Sequence, residues 1–62
     1  MQNSEFLTTA QAADFLGLKK GTLEIWRVYG KGAAFIKMGR AVRYRREDLE
    51  RWITDQKRTH TA

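Results

Sequence analysis

At 62 residues the chain has room for one domain, because so short a chain buries only about 60% of the surface its unfolded form exposes. That leaves no place for a separate ligand-sensing module and little for the deep, walled pocket of most enzymes, so catalysis, a cofactor and a small-molecule ligand are not expected. Cysteine is absent, which excludes disulfides and thiolate zinc sites, and 12 Lys and Arg against 7 Asp and Glu give a charge of +5 that suits a polyanion such as nucleic acid.

The first residues, MQNSEFLTTAQ, lack a basic segment followed by an apolar stretch, and nowhere does the chain approach the ~18 consecutive apolar residues of a membrane span. A cytoplasmic location is therefore expected. Residues 1–5 are expected to be a flexible lead, 6–56 the folded domain and 57–62 a flexible basic tail.

Thr8 followed three residues later by Gln11 predicts a capping box and hence a helix start. Ala10, Ala13 and Phe15 or Leu16 supply an apolar face, Gly17 a left-handed stop, and Leu18 a plug into the core after the turn. A second helix is predicted from about Lys20 to Tyr29, with Leu23 and Trp26 on its buried side and Gly30 as its stop. Lys19 is a poor N-cap and Gly21 costs up to ~1 kcal/mol relative to Ala, so this helix depends on tertiary contacts. Two short helices about a tight turn make a helix-turn-helix pattern. The face opposite Leu23 and Trp26 comprises Gly21, Glu24, Ile25 and Val28, with Lys20 and Arg27 nearer its edges.

After the small residues 30–34, Phe35 to Met38 and Ala41 to Arg45 read as two strands joined by Gly39-Arg40, a two-residue hairpin turn. If Val42 and Tyr44 point inward, alternation sends Arg43 and Arg45 outward together. The third helix starts at Arg46-Glu47-Asp48, where the acids favour the positive end of the helix dipole, and carries the stripe Leu49, Trp52 and Ile53. Lys57 and Arg58 suit its C-terminal end.

The joint occurrence of LTTAQAADFLGL, TLEIW and FIKMGRAVRYRREDLERWI resembles the excisionase-type helix-turn-helix proteins, relatives of the winged helix of MerR regulators, over about residues 6 to 54. The resemblance implies a mostly α fold with a β-hairpin, a winged helix-turn-helix of order α-α-β-β-α. It also implies a second helix in the DNA major groove and a hairpin, the wing, along the backbone or in the neighbouring minor groove. On that reading Lys19, Lys20, Thr22, Glu24, Ile25 and Arg27 are the candidates near the major groove. Lys37, Arg40, Arg43 and Arg45 would hold phosphates or enter the minor groove. This chain departs from the family at the second helix, whose cap is Lys19 and whose exposed side has Glu24, Ile25 and Val28 where members often carry basic residues. The resemblance suggests an excisionase of a mobile element that also acts in transcription, with double-stranded DNA as partner, integrase as a second, and head-to-tail copies on the DNA. A protein-interaction adaptor or anti-repressor is the rival.

Plainer readings hold for several residues. Trp26 and Trp52 sit in helical apolar stripes and are core residues. Tyr44 is a core residue whose hydroxyl can emerge to bond a phosphate. Glu47, Asp48 and Glu50 serve a first helical turn rather than catalysis, and His60 stands in a polar tail with no ligand set around it.

Overall fold

The computed structural model describes residues 6–58, so the expectations for 1–5, for 59–62 and for His60 lie outside the described residues. The elements run β1 (Phe6–Leu7), α1 (Thr9–Leu16), α2 (Lys20–Val28), β2 (Ile36–Met38), β3 (Ala41–Arg45) and α3 (Arg46–Arg58). This is the expected α-α-β-β-α order with one short strand added in front. α3 extends through Lys57 and Arg58, at the C-terminal end where the sequence places them.

The capping box forms as expected, and it fixes where α1 begins. Thr8 Oγ1 accepts from the Gln11 amide at 3.1 Å, while Gln11 Oε1 accepts from the Thr8 amide at 2.9 Å. With the first helical residue at Thr9, a 3.6-residue period turns Thr9, Ala12, Ala13 and Leu16 inward. Ala12 and Ala13 are buried and Leu16 packs on the core, whereas Ala10 and Phe15 are exposed, which corrects part of the expected apolar face. Gly17 ends the helix in the left-handed region, and the Leu18 amide donates back to the Ala13 carbonyl at 2.8 Å. The Leu18 side chain is nevertheless exposed rather than plugged into the core.

α2 buries Leu23, and Trp26 meets Trp52 of α3 with ring centroids 5.4 Å apart. The loop after α2 is closed down on that pair. A β-carbon at Gly32, whose φ is +84°, would fall 2.7 Å from Trp26 Cε3, so glycine there serves both backbone angle and space.

β3 is the middle strand of a three-stranded antiparallel sheet of order β1-β3-β2. Met38 pairs with Ala41, leaving Gly39 and Arg40 as the two-residue tip, with Gly39 at φ 65°. β1 escaped the sequence reading because two residues are too few to show alternation; it pairs Phe6 with Arg45 and Leu7 with Tyr44. Cross-strand partners share a face, so Leu7, Tyr44, Val42 and Lys37 lie on one side of the sheet and Phe6, Arg45, Arg43 and Ile36 on the other. Tyr44 is 2% exposed and Leu49 of α3 is fully buried; together with Ala12, Ala13, Leu23 and Ala33 they make the core.

Candidate nucleic-acid interface

The core-side face of the sheet outruns the core. At the hairpin end, Val42 and Lys37 line a groove together with Glu24, Arg27 and Val28 of α2. Two adjoining hollows make up this groove and share Glu24, Arg27, Arg40 and Val42. One adds Val28, Phe35 and Lys37; the other runs towards α1 and adds Thr8, Thr9, Ala10, Lys20, Ala41 and Arg43. Lys20, Glu24, Arg27 and Val28 follow the i, i+4, i+7, i+8 spacing of one helix face, which is why α2 presents them together.

The charges in the groove are uneven. Lys20, Arg27, Lys37, Arg40 and Arg43 line it against Glu24 as the one carboxylate among the described lining residues. Glu24 stands 3.7 Å from Lys20 in an exposed i, i+4 pair. Such pairs contribute only about 0.3–0.5 kcal/mol, so the pair does little to restrain Lys20. Arg43 comes from the opposite sheet face and is held at the α1 end of the groove, with Nη1 donating to the Val42 carbonyl at 2.8 Å.

Arg27 is fixed more tightly. Its Nη1 donates to Thr9 Oγ1 at 3.0 Å and to the Tyr44 hydroxyl at 2.9 Å, and its guanidinium lies over the Phe35 ring at 5.7 Å and the Tyr44 ring at 6.0 Å. The Tyr44 hydroxyl therefore faces inward to Arg27 rather than emerging to bond a phosphate. Thr9 and Phe35 were missed as part of this cluster. Thr9 lies 18 residues before Arg27, too far apart for any local pattern to link them.

The arginines of the hairpin divide. Arg40 and Arg43 reach the groove, whereas Arg45, although on the same sheet face as Arg43, forms an ion pair with Glu47 at the start of α3. Arg46 bonds Glu50 at 3.4 Å and lies 5.2 Å over the Phe15 ring. Of the remaining candidates, Lys19 is the exposed N-cap of α2 without a side-chain capping bond, and Thr22 is half-buried. Ile25 is 57% exposed on the outer side of the helix. Lys19, Thr22, Ile25 and Arg45 stand outside the two hollows. Val28 and Tyr29, at 79% and 71% exposed, extend the apolar outer surface begun by Ile25.

No group of three or more His, Cys, Asp or Glu able to hold a metal ion occurs among the described residues. No helix among the described residues is long and apolar enough to cross a membrane. Comparison with curated proteins finds no match. A family model described as a helix-turn-helix domain matches residues 6–57, from the first residue of β1 to the penultimate residue of α3. The chain belongs to that helix-turn-helix family, and membership supports DNA as its partner.

Proposed function

We propose that the chain binds duplex DNA without catalysis, with α2 at the major groove and the β2–β3 hairpin as a wing along the backbone. The observation that carries this reading is the groove between helix and hairpin, in which Lys20, Arg27, Lys37, Arg40 and Arg43 outnumber Glu24. Guanidinium and ammonium groups so arranged fit a run of phosphates, whose neutralisation releases counterions and makes affinity depend on salt. Lys19 and Thr22, at the start of α2, are proposed to add contacts to the backbone, and Arg45 to join the wing only where it exchanges Glu47 for a phosphate. Glu24 and Ile25 are proposed as base readers, the carboxylate accepting from a cytosine amine and the isoleucine touching a thymine methyl.

Resemblance carries the biological role further. An excisionase, or recombination directionality factor, binds beside an attachment site, bends the DNA and directs integrase towards excision; some members also regulate transcription. A domain of this size covers a short site, so several copies on repeated sites are proposed, with integrase as a second partner. The exposed Val28 and Tyr29 give copies a surface to meet through. The same surface favours the second reading, a protein-interaction adaptor or anti-repressor.

A mobility-shift titration on random duplex DNA at several salt concentrations separates the two. With about five phosphates neutralised, log affinity is expected to fall with log salt at a slope near −4.5. No retention even at low salt would favour the adaptor. Glu24→Ala is expected to change the order of preference among duplexes selected from a random pool while altering mean affinity less than threefold. An unchanged selected sequence would remove Glu24 from the base readers.

A further inference from the structure

We propose that Arg27 is a preset seat for one backbone phosphate of the duplex, with Thr9 and Tyr44 as its positioning residues. The inference rests on the reading that the groove takes DNA, and it goes further by assigning one seat and the hydroxyls that build it.

Arginine carries five N–H donors, two of them on Nη1. Both Nη1 hydrogens are used, one on Thr9 Oγ1 and one on the Tyr44 hydroxyl. The Nε and Nη2 hydrogens remain, and that edge of a guanidinium matches two oxygens of a phosphate. Phe35 and Tyr44 lie against the guanidinium, so the group is located before any ligand arrives. A located arginine loses less freedom on binding than one that must first be gathered from solvent.

The partners Arg27 has are all neutral. Among the described residues it has no carboxylate partner, although it is half-buried, and the nearby Glu24 is paired with Lys20. In surroundings less polar than water a guanidinium attracts an anion more strongly. The hydroxyls point the same way. Thr9 is 8% exposed and Tyr44 2%, both accept from Arg27, and neither has an acceptor for its own proton among the described residues. Thr9 lines the groove, so its proton is available to the same phosphate, while Tyr44 holds the guanidinium from behind.

The test is fluorescence anisotropy on a random-sequence duplex over a salt series, using the full chain, with a thermal melt of each variant. Arg27→Gln is expected to make the salt slope less negative by about 0.9 and to weaken binding about fivefold near 0.15 M salt. Arg27→Lys retains the charge but not the fork, and Tyr44→Phe retains the ring but not the hydroxyl. Both are expected to keep the parent slope and to bind several-fold more weakly. A purely structural role would lower the melting temperature and leave affinity and slope, measured well below it, as in the parent. Folded Arg27→Gln with the parent's slope would overturn the seat alone. If Arg27→Gln does not fold, Arg27→Lys binding as tightly as the parent overturns it instead. A parent chain that binds no duplex at any salt would end both the seat and the reading beneath it.

Discussion

Leu49→Ala is expected to lower the melting temperature by roughly 10–40 °C and to abolish DNA retention at 37 °C. Leu49 is fully buried, and its removal costs the transfer free energy of the lost atoms plus a cavity term, about 2–5 kcal/mol. The upper part of that range applies here for a local reason. Its buried neighbours include Ala12, Ala13 and Ala33, which have no long side chain to swing into the hole, and the helix that carries the first two is held by the Thr8 cap. Domains below about 70–80 residues have only ~3–5 kcal/mol from a single core, so one cavity of this kind removes most of the stability. Each kcal/mol moves the melting temperature of so small a domain by roughly 4–8 °C. Leu49→Met, which nearly conserves volume, is expected to stay within about 1.5 kcal/mol of the parent. A Leu49→Ala chain melting within a few degrees of the parent, followed by circular dichroism, would show that the core lies elsewhere.

The same packing positions the groove. Leu49 and Tyr44 share the core, Tyr44 bonds Arg27, and Arg27 lies on the groove side of α2. Loss of the core therefore releases the hairpin from α2, and the groove cations with it.

What was legible in the sequence was local. The Thr8 and Gln11 reciprocal bonds, the Gly39-Arg40 tip and the start of α3 at Arg46 each depend on residues within four positions of one another, and each formed where expected. Alternation along Ala41–Arg45 correctly set Tyr44 inward. It said nothing about where the guanidinium groups end, because a long side chain takes its direction from its partner: Arg45 turns to Glu47 while Arg43 turns to the Val42 carbonyl. Non-local pairings were beyond reach for another reason. β1 is defined only by Tyr44 and Arg45, some 37 residues or more further on, and the Arg27 cluster joins residues of α1, α2 and β3. A strand of two residues has no period of its own, and a half-buried arginine on a helix edge looks in sequence like any solvated one. Leu18 shows a subtler limit, since an apolar residue after a glycine stop reads as buried whereas its side chain is exposed.

The triple variant Lys37→Ala/Arg40→Ala/Arg43→Ala is expected to bind every duplex about a hundredfold more weakly near 0.15 M salt, with the salt slope reduced from about −4.5 to about −1.8. Each phosphate contact contributes about 0.9 to the slope, which near 0.15 M corresponds to about fivefold in affinity, and three contacts multiply. The stability cost is expected to be small. Lys37 and Arg40 are exposed, Arg43 gives only one bond to a carbonyl of its own strand, and none of the three has a carboxylate partner among the described residues to leave behind. The hairpin itself is held by Val42 and Tyr44 against the core, which the variant leaves intact. Loss should be uniform across sequences, because phosphate contacts carry register rather than base identity. This separates the hairpin from α2, where Glu24→Ala is expected to reorder preference instead. Equal binding by the triple variant and the parent across the salt series would mean that the duplex does not lie in the groove, and the ribbon would then have to be read as a support for α2 alone.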